Sequence, residues 1–404
     1  MSRKRVAITG IGLVSGLGLT REENWTRMLA AECAVRPVTL FDASGYRSGV
    51  AGEVRTDELH ARLTPLERRR LSRADQIGLL ASREAVEDAR VIGPELDRGR
   101  AGVLMGAGTA DLLRNENYFF TMRTDGIAHA RPSQAWNHFS STPVDIVAGE
   151  LGFEGARSCV VAACSSSTIA IGQAASLIRG GRLDVAIAGG TDALSRLTFS
   201  GFNALRLMDA GPCRPFDTTR SGMNIGEGAG MLVLEDYDRA TRRGATIYAE
   251  LAGYALACEA FHPTAPEPEG RVVASIVRMA LADAGAGPDD VDHINAHGTA
   301  TPQNDLAEAK GFYRALGDRA RDVPVTSLKS LVGHCLGAAG AVEAAALALT
   351  IARGVIPPTA NHVTRDPECN LDVVTEARAK RVGCGVSTSL AFGGNDSALV
   401  IRAV

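Results

Sequence analysis

Short β-type runs alternate with helical stretches rich in small residues along a chain of 404 residues. That alternation predicts an α/β protein whose sheets are covered by helices and largely parallel. Two further observations sharpen the prediction. Hydrophobic residues make up 45% of the chain and charged residues 22%, with a mean hydropathy of +0.02, so an ordinary globular chain can fill a large core. In addition, two stretches meeting near 239–249 each present a chemically capable residue after a buried strand and each close on an apolar strand. They predict two similar halves, 1–245 and 246–404, although the repeat is weak residue by residue.

Candidate strands are 6–9, 102–105, 159–162, 185–188 and 231–234 in the first half, and 248–254, 291–295, 323–327 and 398–401 in the second. Candidate helices are 72–89, 165–178, 271–284, 305–316 and 338–352. In the helix over 271–284, Val273, Ile276, Val277, Ala280 and Leu281 follow the spacing of one buried face, and Gly285 supplies a stop. Residues 261–270 form a Pro-rich loop of the length that often carries function. A net charge of −3 and a pI near 6.3 give no reason to expect nucleic acid or an anionic membrane as partner. The apolar run at 6–10 is too brief for a signal sequence or a spanning helix, which makes the cytoplasm the expected location. The eight cysteines show no CxxC spacing, so neither a metal site nor a disulfide framework is indicated.

Cys164 lies between the apolar run 159–163 and Ser165-Ser166-Ser167, where serines at a helix start read as caps. The helix dipole and free N–H groups there favour the thiolate, the nucleophilic form. Taken alone, a free cysteine is commonly an inert core residue. His297 follows an apolar run and precedes Gly298-Thr299-Ala300-Thr301, and His334 precedes the small residues of Leu336-Gly337-Ala338-Ala339-Gly340. Each histidine alone suits a hydrogen-bonded structural role. Glu343 is the single charge in the apolar stretch 338–351 and needs a cation if buried, which Lys329 could supply; an exposed stripe is the alternative.

Four ordered segments now carry a resemblance that spans essentially the whole chain. Ala162-Ala163-Cys164-Ser165-Ser166-Ser167, Asn295 to Pro302 around His297, Lys329 to Glu343 around His334, and Phe392-Gly393-Gly394 resemble the signature segments of the elongating β-ketoacyl-ACP synthases, including the ketosynthase subunits of type II polyketide synthases. The resemblance implies a thiolase-like, five-layered αβαβα fold of two pseudo-duplicated halves, in a dimer. It implies that Cys164 accepts the acyl chain, that His297 and His334 face the malonyl thioester with Lys329 behind them, and that the N–H groups of Cys164 and Phe392 form an oxyanion hole. Glu343 supports Lys329. Thr299 and Thr301 bind substrate, Phe392 is a movable gate with Gly393 beside it, and Thr109 borders the acyl chain's path. Arg68, Arg69, Arg70 and Arg73 match the place where relatives dock the acidic acyl carrier protein. Substrates arrive as phosphopantetheine thioesters, and no separate cofactor is expected. The partner is a second copy or a chain-length-factor-like homologue.

Other activities fit less of the chain. A thiolase needs a second cysteine in a CxGGG-like turn, which Cys384-Gly385-Val386-Ser387 does not form. A papain-like hydrolase leaves His334 and Phe392 without work. A noncatalytic chain-length partner would not keep Cys164 and both histidines. The glycines at 10, 12 and 16 miss the dinucleotide-binding spacing. Thr109, Ala391 and Asn395-Asp396, with the three serines after Cys164, lean toward a specialised polyketide or polyene pathway rather than primary fatty-acid elongation.

Overall fold

Two passes of the same element order build the molecule, which the computed structural model describes over residues 4–110, 112–135 and 139–404. The first pass runs β1 (Val6–Ser15), α1 (Arg73–Ala89), β2 (Ala101–Gly106), α2 (Thr142–Leu151), β3 (Arg157–Val160), α3 (Ser166–Arg179), β4 (Val185–Asp192) and β5 (Gly228–Asp236). The second runs β6 (Ala249–Cys258), α4 (Arg271–Asp283), β7 (His293–Asn295), α5 (Pro302–Leu316), β8 (Pro324–Thr326), α6 (Ala339–Arg353), β9 (Asp372–Val373), β10 (Cys384–Ser389) and β11 (Asn395–Arg402). In space the first set lies in the order β3-β2-β4-β5-β1 and the second in the order β8-β7-β10-β11-β6, with β9 added outside β8. The two orders are the same pattern. Strands of each half run parallel except β5 and β11, which oppose both neighbours, so the largely parallel expectation holds within each half. Pairing of Ala7 with Glu250 and of Ile8 with Ala249 joins the halves edge to edge.

Helices α1 and α2 cover the outer face of the first sheet, α4 with α5 against it covers the second, and α3 and α6 lie between the sheets. This is the five-layered thiolase-like arrangement. Every residue of α6 from Ala339 to Ile351 is buried. The segment Leu336–Arg353 is long and apolar enough to cross a bilayer, but here it is the central helix of a protein core. Being walled by two sheets and α3 explains its composition. A Cβ on Gly340 would sit 1.9 Å from Thr168 Oγ1, so only hydrogen fits where α6 crosses α3.

Several boundaries differ from the sequence expectation, each for a packing reason. β1 continues to Ser15 rather than ending at residue 9, because its glycines are contact points and not breakers: a Cβ on Gly12 would lie 1.8 Å from the Ala81 carbonyl of α1. β3 sits two residues earlier than 159–162, since residues 161 and 162 already turn toward Cys164. β10 is unanticipated. Its Ser387, Thr388 and Ser389 are buried, and the bonds from Thr388 to Glu308 and between Ser389 and Thr168 hide the strand from a search for apolar runs. The helices α2, Leu112–Thr124 and Arg196–Ala204 are likewise additions.

Gly12→Ala is expected to lower the unfolding free energy by about 3 kcal/mol or more, the cost of overpacking a rigid contact. Gly201→Ala, with nothing within 4 Å of the added methyl, should be neutral or slightly stabilising. Guanidinium unfolding of both variants checks the contrast.

Candidate active site

Cys164 lies in the β3-α3 connection, on a sharp turn. Ala163 takes a left-handed φ of 47°, and residues Ala163–Ser165 form one 3₁₀ turn before α3 begins. The serines that follow do not cap α3, against the expectation from sequence: no side-chain cap bond is made at Ser165. They bind other elements instead. Ser165 Oγ donates to the Ser389 carbonyl at 2.9 Å, Ser166 Oγ accepts the Ala162 N–H at 2.8 Å, and Ser167 Oγ accepts the Ala341 N–H of α6 at 3.0 Å. The end of β10 and the start of α6 are thereby held against the Cys164 turn.

The start of α6 brings His334. Gly333, at φ 75°, turns the chain after the short helix Lys329–Val332, and His334 bonds backbone to backbone with Asn224 and Gly226. Its Nε2 is 3.0 Å from Cys164 Sγ. Its Nδ1 accepts the Leu336 N–H at 3.2 Å, which puts the proton of the neutral ring on Nε2, facing the sulfur. His297 leaves β7 in the neighbouring loop, with its ring edge-on to that of His334 at 5.3 Å between centroids. Ligand atoms of Cys164, His297 and His334 all lie within 4.8 Å of one another.

Burial dominates the electrostatics. It pushes the Cys164 thiol up to about 12, against the lowering effect of Lys329 and of the Phe392 N–H. The thiolate favoured by a helix start is therefore not the resting state, because here desolvation outweighs it. Burial and Lys329 hold both histidines well below their ordinary value, with His334 adding to the effect on His297, so both rings are neutral N–H donors. Lys329 is 1% exposed and bonded to the buried Glu343, whose carboxyl burial pushes up to about 7 despite that partner. The exposed-stripe alternative for Glu343 is excluded. By donor type the Cys-His-His cluster would suit a soft divalent ion, but the buried ammonium of Lys329 beside it opposes a second cation.

Three acids that sequence reasoning missed hold the loops. Glu308 of α5 accepts the His297 and Gly298 N–H groups at 2.7 and 2.8 Å and the Thr388 hydroxyl at 2.7 Å. Asp305, one turn earlier, accepts the Ala300 and Phe216 N–H groups. Asp192, at the end of β4, accepts N–H groups of Gly108, Thr109 and Gly337. Their signal was present: two acids three apart directly after the His297 loop, and a lone acid closing the apolar strand that ends in Gly189-Gly190-Thr191-Asp192.

A channel of about 410 Å³ leads from the surface to Cys164. His297, His334, Thr299, Thr301 and Phe392 line it, and the two threonine hydroxyls bond each other at 2.9 Å. Phe392 packs on Phe202 with ring centroids 5.4 Å apart, and Gly393 and Gly394 follow it at φ 82° and 72°. Gly393 is exposed, and its N–H is spent on the Pro263 carbonyl at 2.8 Å. Thr109 is not in this channel wall, its N–H being bound to Asp192 at 3.0 Å. Arg68, Arg69 and Arg70 are exposed on the helix Pro65–Arg70. Arg73 differs from them: its side chain is only 9% exposed and is held by the buried Glu227, to which Nε donates at 2.9 and 3.0 Å.

A thiol on a strained turn, two neutral imidazoles facing it and a narrow channel lie in an αβαβα fold of the thiolase-like class. Residues 3–240 match the β-ketoacyl synthase N-terminal domain and 248–363 the β-ketoacyl synthase C-terminal domain, and the chain belongs to that family. It is 37% identical over 410 residues to the 3-oxoacyl-[acyl-carrier-protein] synthase 2 of Synechocystis sp., covering 100% of this chain and 99% of that one. Identity is 40% over 414 residues to the tetracenomycin polyketide synthase ketoacyl synthase alpha subunit of Streptomyces glaucescens, covering 99% and 97%. Among solved structures, the ishigamide ketosynthase/chain length factor superposes with a TM-score of 0.94 at 35% identity, covering 100% of both chains. A type II polyketide ketosynthase solved with its acyl-carrier protein, AntDE:AntF, gives 0.91 at 32%, again over 100% of both.

Removing Lys329 leaves Glu343 as an unpaired buried acid, so Lys329→Ala should cost about 3–5 kcal/mol, measured by chemical unfolding. It also raises the histidines' affinity for a second proton, although burial still opposes it. The acid limb of the pH–rate profile is then expected to move to higher pH, because a neutral ring is lost as pH falls through a raised pKa.

Proposed function

We propose that this chain is the condensing subunit of a β-ketoacyl-ACP synthase that extends a Cys164-bound acyl chain with malonyl units, and the observation that carries the proposal is the convergence of Cys164, His297 and His334 at the foot of one channel. The acyl group moves from carrier-protein thioester to Cys164, and the thiol proton ends on the departing pantetheine sulfur. The N–H groups of Cys164 and Phe392 receive the oxyanion of that exchange. Malonyl thioester then loses CO₂, and the electron pair of the broken C–C bond passes into an enolate. His297 and His334 donate N–H to its oxygen. Neutral rings are suited to this work, since an imidazolium would protonate the carbanion. The enolate carbon attacks the acyl carbonyl, the C–S bond to Cys164 breaks, and the sulfur takes a proton from solvent.

The bonded pair Thr299 and Thr301 is assigned to the pantetheine arm, whose amides need hydroxyl partners along the channel. Phe392, followed by two left-handed glycines, is assigned as the gate between channel and acyl pocket. Residues up to 245 and from 246 onward are taken as two duplicated halves, in line with the repeated strand order. The carrier protein docks on Arg68, Arg69 and Arg70. A specialised type II pathway is favoured by Thr109, Ala391 and Asp396, and by the fit to a ketosynthase/chain length factor. The dimer partner is then a chain-length-factor-like homologue; a homodimer in fatty-acid elongation is the second reading, supported by the Synechocystis relative.

Intact-protein mass spectrometry with a panel of acyl carrier proteins, followed by malonyl carrier protein, tests the assignment. Cys164→Ala should abolish the acyl adduct. His297→Ala and His334→Ala should still load but lower condensation by about 10²-fold or more, and full condensation by either would overturn the roles. Reversing Arg68, Arg69 and Arg70 to Glu should raise KM for the carrier protein, with a weaker salt dependence, while leaving the folded state intact.

A further inference from the structure

Two acids lie where the Phe392 turn meets the Pro-rich loop. Asp396, in β11, is buried; its Oδ1 accepts the Ala391 N–H at 3.3 Å, while Oδ2 has no hydrogen-bond donor among the described residues. Glu259, directly after β6, adjoins it. The Glu259 N–H donates to the Gly394 carbonyl at 2.9 Å, and its Oε2 accepts the Glu267 N–H at 3.1 Å. With the Gly393 bond to Pro263, the Phe392 turn and the loop over 261–270 close on each other around these two carboxyl groups, which also line the channel.

Neither acid has an ion pair with Lys, Arg or His among the described residues. The other charge bearing on Asp396 comes from α5, and it is Glu308, a third acid. On the loop side, Glu267 is engaged with Arg271, and His262 Nδ1 accepts the Thr264 and Ala265 N–H groups. Two carboxylates in contact, one buried and without a cation, cannot both stay charged at little cost.

We propose that Glu259 and Asp396 share a single proton, as a latch that holds the Phe392 turn shut, and that loss of this proton releases the turn. The proposal rests on Phe392 acting as the gate. Burial, then the neighbouring Glu259, pushes the Asp396 carboxyl up to about 8. An acid whose pKa is higher in the closed state than in the open one favours closure at low pH. Closure weakens as pH climbs toward 8 and levels off above it. Both residues act through the turn and not on substrate, so they are positioning residues.

Hydrogen exchange of peptides covering 389–397 in the full chain, corrected for the intrinsic pH dependence of exchange, reads the latch directly. Opening of the wild-type turn should rise by well over tenfold, toward the roughly hundredfold limit of one proton over two pH units, from about pH 6 to about pH 8; Asp396→Asn should be flat, and Glu259→Gln, which leaves Asp396 buried without its neighbouring acid, should level off at lower pH. A flat wild type, or the same step in both variants, overturns the proposal. Acyl loading of Cys164 over the same range separates it from the gate assignment: a step in exchange that loading does not follow supports the latch and refutes Phe392 as the gate.

Discussion

The closeness of α3 and α6 is the constraint on which the rest of the molecule depends. They occupy the same place in the two passes of the chain, and each is preceded by a loop that carries chemistry: Cys164 before α3, and Lys329 with His334 before α6. Ser167 of α3 binds the first turn of α6, and Gly340 of α6 lies against Thr168 with room for hydrogen only. A side chain at that crossing would separate the helices by more than the margin of a 3.0 Å contact between His334 and Cys164. The run of small residues is thus a geometric requirement of the site as well as a packing preference.

Loops built from small residues leave many backbone N–H groups without ladder partners, and buried acids gather them. Glu308 takes the His297 loop, Asp305 the segment around Ala300 and Phe216, and Asp192 the turn after β2 together with Gly337. Each acid accepts from elements that belong to different parts of the chain, so the loops are positioned relative to one another and not only to their own strands. Burial raises these carboxyls, Asp192 to about 6 and Glu308 to about 7, while their N–H donors pull the other way.

Burial, with one buried cation beside it, sets the charge of the site. Desolvation first, and then Lys329 bonded to Glu343, lower the proton affinity of both imidazoles and keep them as neutral donors. Lys329 also draws the Cys164 thiol down against a larger desolvation effect. At rest a protonated thiol therefore lies beside a neutral Nε2–H.

Sequence by itself determined the class of fold, singled out Cys164, His297 and His334, and offered the pairing of Lys329 with Glu343 as one of two readings. Apolar runs, small-residue junctions and a lone charge in an apolar helix are local patterns that survive in one dimension. The halves were visible only as a weak repeat, because the duplicated feature is strand order, which residues do not spell out. Tertiary structure alone decided which basic residues are exposed: Arg73 looks like Arg68, Arg69 and Arg70 in the chain, yet Glu227, far away in sequence, pairs with it and leaves its side chain 9% exposed. It also decided that the serines after Cys164 bridge α6 and β10 rather than cap α3, that Thr109 belongs to Asp192, and that Glu259 meets Asp396. Each of these depends on a partner more than 80 residues distant, as with the 83 between Thr109 and Asp192. Burial and charge there arise only when the sheets close on their central helices.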